Sequence, residues 1–493
     1  MTQADSRRWI VLTLLSLTQF ILVIDVSIVN VALADIQADL AFSQENLQWI
    51  LSAYTLTFGG LLLLGGRMAD LFGRRRVFLI GLAVFIVGSA LCGFAQSELM
   101  LIVSRALQGI GAAIISPGAL SILTTTFQEG AERNKALGIW GAIAGVGGAV
   151  GVLAGGFLVE YLSWRWVFLV NLPIGLAVLF LVPRFVLESR GEGKPRLDLG
   201  GSLTITGGLA TLIYGLTRAE TDGWGDSIAI GMLALSAILI VGSLFIEATV
   251  KDPLLPLGIF RNRTLTGANI VGFLLGAAIF AMFFFISLYM QQVLQYSALG
   301  VGTRYLLFAI VIIIAAAASQ ALVTRFGVRP ILAIGMLLLL AGLVYFTRID
   351  VDGSYSRDLV PGFILAGVGL GFAFVPVSIA ALQGVEDRMA GVASGLINTS
   401  QQVGGAVGIA ILSTVATSTT SGRVEDAASA AAAGGGDPEA AAAAALPGGL
   451  VDGFVNAFWT GAGMAVVGLI CTLFIIKKVG PQQAATAHHA PGL

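Results

Sequence analysis

The sequence contains few charged residues. Asp, Glu, Lys and Arg make up only 11% of its 493 residues, whereas a soluble chain carries roughly 25%. Hydrophobic residues make up 57%, and apolar runs of about 20 residues, each long enough to cross the hydrocarbon core of a bilayer, recur from end to end. This composition excludes a soluble enzyme or binding module. It predicts an all-α polytopic membrane protein.

Cysteine and histidine are also scarce. Cys92 and Cys471 lie in separate apolar runs, so neither a disulfide framework nor a metal cluster is predicted. The two histidines, His488 and His489, lie in a polar C-terminal tail, which excludes an intramembrane histidine relay. The nearest match to a phosphate-binding loop, at 193–195, lacks the upstream glycine and the Ser or Thr that such a loop needs. We therefore expect no enzyme, no ATP-driven pump, no cofactor and no nucleic-acid partner.

The apolar runs predict 14 transmembrane helices. Most of the 27 Lys and Arg residues lie in alternate connecting segments. The positive-inside rule then places both termini in the cytoplasm, which requires an even number of spans. The predicted spans are at about 9–33, 47–66, 77–95, 99–122, 137–158, 166–187, 199–217, 228–250, 267–290, 300–323, 330–347, 360–382, 391–417 and 454–476.

An internal repeat relates the two ends of the chain. VGGAVG at 146–151 recurs at 403–408, FGRR at 72–75 aligns with FGVR at 326–329, and Pro117 aligns with Pro376 at nearly the same spacing. The repeat maps the first six helices onto the last six in the same orientation, which is a known transporter architecture. It predicts an N-terminal lobe at 1–190, two additional helices at 191–262, a C-terminal lobe at 263–478 and a cytoplasmic tail at 479–493.

Two further features of this organisation can be predicted. The Ala- and Gly-rich segment 418–452 is predicted to be a disordered external loop with a short helix at 438–446. The two additional helices have no counterpart in either half and few polar residues. We therefore expect them to lie next to the lobe interface and outside the transport path.

The loop after the second span carries a specific motif. In GRMADLFGRRR at 66–76, Gly66 permits close helix approach, Gly73 permits a tight turn, and Asp70 places a carboxylate at the cytoplasmic edge. A positive-inside cluster alone would account for Arg74 and Arg75. The Gly-x-x-x-Asp-x-x-Gly-Arg-Arg spacing resembles the signature of the major facilitator superfamily. We expect these residues to form a conformational latch, with Asp70 close to the start of span 11 near Pro330.

Three more segments resemble the 14-span drug:proton antiporter branch of that superfamily. They are DVSIVNVAL at 25–33, RALQGIG at 105–111, and Gln48-Trp49 followed by Tyr54. The resemblance implies a bacterial inner-membrane transporter, working as a monomer, that exports amphipathic drugs or metabolites in exchange for protons by alternating access. The alternative is a uniporter or importer of a defined small metabolite.

The fifth span departs from the pattern of that branch. The branch usually carries Gly-Pro followed by paired glycines, whereas this chain has Gly151-Val152. The proline that would break the helix is missing. Gly147, Gly151 and Gly155 still form a stripe at i+4 spacing that is suited to close helix packing.

Asp25 is the one acid placed securely inside a predicted span. Burial disfavours the charged form of a carboxyl group, so we expect Asp25 to gain and lose a proton as the cavity opens to each side. The simpler reading is a carboxylate held by a structural hydrogen bond. Arg105 is the expected counter-charge, and its simpler reading is a side chain that extends to the outer interface. Candidate substrate-cavity residues are Asn30, Trp49, Tyr54, Gln108, Asn269, Tyr289, Gln291, Asn398, Gln401 and Gln402.

Overall fold

Apolar runs broken by short polar segments fold into long helices connected by short loops. The computed structural model describes residues 3–42, 44–47, 49–128, 130–190, 198–250 and 253–477, and the regular elements in these ranges are all helical. The long helices are α1 Gln3–Leu40, α2 Trp49–Phe72, α3 Arg74–Gly93, α4 Glu98–Thr126, α5 Ala131–Tyr161, α6 Asn171–Phe185, α7 Leu199–Asp222, α8 Ser227–Thr249, α9 Arg263–Leu288, α10 Ala298–Phe326, α11 Val328–Phe346, α12 Val360–Leu382, α13 Ala390–Ala433 and α14 Pro438–Phe474.

Short helical elements lie between several of these helices. Gln44–Leu47 and Trp166–Leu169 are single α-turns, and Leu257–Arg261 and Asp387–Met389 are 3₁₀ turns. Tyr289–Val293 and Tyr355–Leu359 are π-helical. The predicted tail at 479–493 and Gln48 lie outside the described residues.

Within the described part of the chain, 12 helices are long and apolar enough to cross a membrane. Helices α5 and α7 lie at predicted spans but are not among these 12. In α5 the described side chains give a shorter apolar stretch, Val150–Tyr161, and α7 contains glycines, threonines and a charged C-terminal turn. The structure therefore supports 12 apolar spans, and the predicted count of 14 goes beyond it.

The same helix pairings occur in both halves. In the first half α1 packs on α5, while α2 and α3 both pack on α4. In the second half α9 packs on α13, while α10 and α11 both pack on α12. These are the pairings that a parallel six-helix repeat requires. We call the end of the helices that carries Phe72, Thr126 and Phe326 the basic end, because the adjoining loops hold most of the Lys and Arg residues.

The two lobes meet through glycines. Helix α5 packs along α10, where Gly138 lies against Gln320 and Gly156 lies against Leu299. Helix α2 packs on α13, where the backbones of Gly66 and Gly391 are in contact. A side chain at any of the glycines in tight contact would force the helices apart, so the small residues allow the close crossing.

The additional helices α7 and α8 pack on each other and lie beside the lobe interface. Helix α7 contacts α2 of the first lobe, with Gly60 against Ala210, and also contacts α13 of the second lobe. In the turn between α7 and α8, Trp224 Nε1 donates a hydrogen bond to Thr414 Oγ1 of α13 at 2.5 Å. The pair therefore spans both lobes on one side of the molecule.

The prediction that 418–452 is disordered is wrong. Helix α13 continues to Ala433 and α14 begins at Pro438, so the predicted helix at 438–446 is part of a longer one. Alanine has the highest helix propensity, and Asp437 caps α14 by accepting hydrogen bonds from two backbone N–H groups. The two helices also pair through an ion pair between Arg423 and Asp452. Composition alone gave no sign of this pairing.

Candidate functional site

Asp25 lies inside the first lobe, on α1, and is completely buried. The residues around it in the sequence are apolar, so α1 supplies no charged partner for it. An ionised carboxylate in such a place is stable only when other helices supply hydrogen bonds and a counter-charge. Four neighbouring helices, α2, α3, α4 and α6, provide the polar groups around it.

Arg105 on α4 supplies the counter-charge. Its Nη1 lies 2.6 Å from Asp25 Oδ2, and both side chains are at most 1% exposed. Its Nε donates to the backbone carbonyl oxygen of Ile50 at 2.9 Å, and its Nη1 also donates to Gln108 Oε1 at 2.7 Å. The guanidinium lies 4.3 Å from the centroid of the Tyr54 ring, a cation–π distance. Arg105 therefore points inward and does not extend to the outer interface.

Two amides hold the other oxygen of Asp25. Gln108 Nε2 donates to Asp25 Oδ1 at 2.7 Å and Asn171 Nδ2 donates to it at 2.9 Å. Ser89 Oγ on α3 accepts from both amides, at 2.7 Å and 3.3 Å. The carboxylate thus has three donors for its two oxygens.

The sequence analysis missed Asn171 and Ser89. Asn171 is the only amide side chain in the predicted span 166–187, which is the signal that could have identified it. In the structure it is 1% exposed, and its Oδ1 has no hydrogen-bond partner among the described residues. The Tyr54 hydroxyl is likewise buried and unpartnered. The cluster therefore holds an acceptor that a protonated Asp25 could use.

The second feature is a contact between the lobes at the basic end. Asp70 on α2 accepts hydrogen bonds from the backbone N–H groups of Gly391 and Val392, both at 3.1 Å. Arg74 donates to Asp70 Oδ1 from Nη2 at 2.9 Å and from Nε at 3.2 Å. Gly391 and Val392 lie in the first turn of α13, where the helix dipole favours a negative charge.

The prediction that Asp70 lies close to the start of span 11, near Pro330, is wrong. The repeat makes 67–76 and 325–329 equivalent positions in the two lobes, but equivalent positions need not touch. Because α2 packs on α13, the carboxylate meets the first turn of α13.

The glycines of the loop motif have the local geometry that the sequence predicted. A Cβ on Gly66 would collide with the carbonyl oxygen of Gly391 in the other lobe. Gly73 has φ of 107°, a conformation that side chains disfavour, and a Cβ there would lie 2.8 Å from Glu188 Oε1. Glu188 accepts from the backbone N–H groups of Arg75 and Arg76, both at 3.1 Å, and lies 3.8 Å from Arg75 Nε.

The glycine stripe of α5 packs on α1 around Asp25. Positions 147, 151 and 155 face Val23, Ser27 and Ile28, and a Cβ at each would be closer than van der Waals contact. The stripe therefore brings the two helices together along the turns that flank Asp25.

The ten candidate substrate-cavity residues are not gathered in one place. Tyr54 and Gln108 belong to the Asp25 cluster. Trp49 stacks on Tyr214 of α7, with ring centroids 5.6 Å apart. Asn30 is exposed on α1, where its Nδ2 donates to a backbone carbonyl oxygen of its own helix.

The candidates in the second lobe are also dispersed. Asn269 is buried and its Oδ1 accepts from Ser400 Oγ at 3.0 Å, across the contact of α9 and α13. Asn398, Gln401 and Gln402 lie half-buried on α13. Two others lie in the π-helical turn after α9: Tyr289 is buried and donates to the carbonyl oxygen of Asp350, while Gln291 is exposed.

Comparison with known proteins identifies the family. A family model described as Major Facilitator Superfamily matches residues 15–409. The chain belongs to the major facilitator superfamily. The expectation drawn from the loop motif is thereby confirmed, and this superfamily consists of membrane transporters.

Relatives within the superfamily include proteins of antibiotic resistance and export. The puromycin resistance protein pur8 of Streptomyces alboniger is 39% identical over 472 residues, which covers 95% of this chain and 90% of that protein. The cephamycin export protein CmcT of Amycolatopsis lactamdurans is 40% identical over 429 residues, covering 85% and 87%. The multidrug transporter protein MdtP of Bacillus subtilis strain 168 is 33% identical over 428 residues, covering 86% and 78%.

Solved structures share the superfamily fold. The human organic anion transporter MFSD10 superposes with a TM-score of 0.64 at 14% identity, covering 96% of this chain and all of that chain. The proton:xylose symporter XylE superposes with a TM-score of 0.62 at 13% identity, covering 97% of each chain.

Proposed function

We propose that this transporter exports amphipathic small molecules in exchange for protons by alternating access. The observation that carries the proposal is the buried cluster of Asp25, Arg105, Gln108 and Asn171 in the first lobe. A carboxylate with a movable counter-charge can change its protonation state when the surrounding helices shift, and this couples proton binding to conformation. The exporters among the relatives support outward transport of drug-like molecules.

The contact between the lobes supports the part of the proposal that concerns alternating access. Asp70 joins α2 to the first turn of α13, so the lobes are closed at the basic end in this conformation. Opening that end breaks two hydrogen bonds to a buried carboxylate that also pairs with Arg74. Alternation then consists of breaking this contact while the opposite end closes.

We also propose 14 spans, with both termini in the cytoplasm of a bacterial cell and the chain working as a monomer. Helices α5 and α7 have 31 and 24 residues. At 1.5 Å per residue, even the shorter helix is about 36 Å long, enough to cross a hydrocarbon core of about 30 Å. An even number of spans keeps the basic loops on one side.

The proposal is tested by transport in proteoliposomes with an imposed pH gradient. Puromycin is a suitable first substrate because a relative confers resistance to it. The wild type is expected to accumulate substrate in the lumen against its gradient when the lumen is acidic, because protons then leave the liposome as substrate enters. Asp25→Asn should abolish this accumulation while insertion into the membrane stays normal. Asp35→Asn changes an exposed acid ten residues further along α1 and should transport normally.

Normal uphill transport by Asp25→Asn would contradict the proposal. Transport that equilibrates substrate without responding to the pH gradient in the wild type would favour the alternative, a uniporter of a defined metabolite.

A further inference from the structure

The additional helices α7 and α8 carry a second pair of acidic side chains at the basic end. Asp198 caps the start of α7, where its Oδ1 accepts from the backbone N–H of Gly201 at 2.9 Å. Glu247 lies near the end of α8, is 5% exposed, and its Oε2 accepts from the backbone N–H of Leu255 at 3.0 Å. The backbone therefore engages one oxygen of each carboxyl group and leaves the other available.

The two remaining oxygens lie in the same notch. A Cβ on Gly201 would collide with Asp198 Oδ2 and lie 2.5 Å from Glu247 Oε1, so these two oxygens are within about 5 Å of each other. Neither has a hydrogen-bond partner among the described residues, and neither does the hydroxyl of Ser202, which is 4% exposed. Buried oxygens without partners are costly, and a proton held between two of them would reduce that cost.

We propose that Asp198 and Glu247 bind one proton between them, which makes the notch a proton-binding site separate from the Asp25 cluster. Two carboxylates this close disfavour double ionisation, and one shared proton allows Glu247 to donate to Asp198. A metal ion of the Ca²⁺ or Mg²⁺ type takes about six oxygen ligands, which is more than this notch supplies. The inference does not depend on the role of Asp25.

The site also lies next to the inter-lobe contact. Two charged groups from neighbouring helices interact electrostatically with Glu247. They are Arg67 on α2 and Asp198 at the start of α7. Arg67 directly follows Gly66, whose backbone contacts Gly391 of the other lobe. Loss of the shared proton adds a negative charge facing Arg67. This strengthens the attachment of the additional helices to α2 beside that contact.

The test is labelling with dicyclohexylcarbodiimide, which adds to a protonated carboxyl group in apolar surroundings and leaves a carboxylate unmodified. The full-length protein in liposomes is labelled at a series of pH values between about 5 and 9, a range that covers buried glutamates. The labelled peptides are then quantified by mass spectrometry. Glu247 is expected to be labelled at low pH and to lose its labelling as the pH rises. Asp226, in the turn between α7 and α8, accepts from the backbone N–H of Ala229 at 2.9 Å, which lowers the pKa of its carboxyl group, so it serves as the internal control and should stay unlabelled.

Two variants show whether the carboxyl groups act as a pair. Asp198→Asn keeps the helix cap but removes the second charge, so the labelling of Glu247 should disappear at a lower pH than in the wild type. Gly201→Ala fills the notch and should have the same effect by separating the two groups. Gly200→Ala is the matched control, because its Cβ would lie 3.5 Å from Asp198 Oδ1, an ordinary contact.

Three outcomes would overturn the proposal. Glu247 that is not labelled at any pH would show that it holds no proton. A labelling curve that neither Asp198→Asn nor Gly201→Ala moves would show that the two groups are independent. Labelling that Na⁺ or Mg²⁺ suppresses at constant pH would identify a metal cation as the occupant.

Discussion

At the residue scale, Asp25 is surrounded by hydrogen-bond donors, and one side chain can also accept from a protonated carboxyl group. A carboxylate accepts hydrogen bonds only, whereas a protonated carboxyl group must also donate one. Asn171 donates from Nδ2 to Asp25 in this structure, and its Oδ1, which has no hydrogen-bond partner among the described residues, is an acceptor beside Asp25. Rotation of the amide would turn that oxygen toward Asp25. Asn171 therefore fits both states of the proton cycle as a positioning residue.

Replacing Asn171 with Leu should alter the pH dependence of transport. The substitution removes one of three donors to the carboxylate, and a hydrogen bond to a charged group contributes about 1.5–3 kcal/mol. The pH of half-maximal transport should therefore rise, by about one unit or more, since one unit corresponds to 1.36 kcal/mol. The measurement is initial transport rate against pH in proteoliposomes.

Asn269→Leu is the control for this substitution. It removes a buried amide of the second lobe that accepts from Ser400, away from Asp25, so the rate can fall but the profile should not move. An unshifted profile for Asn171→Leu would show that its hydrogen bond to Asp25 does not affect proton binding.

At the element scale, the sequence located most helices but not their partners. Long apolar runs mark a span because the bilayer demands about 20 apolar residues. The method fails at 418–452: the Ala- and Gly-rich composition predicted a disordered loop, yet α13 and α14 pair along this segment. It also fails for contacts between lobes. The motif 66–76 predicted an inter-lobe role for Asp70, but only the packing of α2 on α13 shows that Gly391 and Val392 are the donors.

Loss of the Asp70 charge should open the basic end. Asp70→Asn removes the charge that accepts hydrogen bonds from the Gly391 and Val392 N–H groups of the other lobe, and a hydrogen bond to a charged group contributes about 1.5–3 kcal/mol. Even 1.4 kcal/mol changes an equilibrium tenfold. Spin labels at the exposed positions Arg76 and Glu386, one in each lobe, should therefore report a longer distance by double electron–electron resonance.

Glu132→Gln is the matched control, because it breaks an exposed ion pair with Arg8 inside the first lobe. Its distance distribution should match the wild type. Identical distributions for wild type and Asp70→Asn would count against the latch.

At the scale of the whole molecule, the internal repeat predicted two lobes with two helices between them, and the structure shows matching helix pairings in the two halves. What the repeat could not supply is the asymmetry. The buried Asp25–Arg105 pair lies in the first lobe. The second lobe has apolar and aromatic side chains such as Phe363 and Phe308 in its interior. A repeat reports shared packing, whereas function depends on the positions at which the two halves differ.

The central claim is that Asp25 carries the proton that is exchanged for substrate, and proton release on substrate binding tests it most directly. Purified protein in a weakly buffered solution is mixed with puromycin while the pH of the solution is recorded. The account predicts that the wild type releases protons when it binds puromycin, and that Asp25→Asn releases none. Proton release by Asp25→Asn equal to that of the wild type would contradict it.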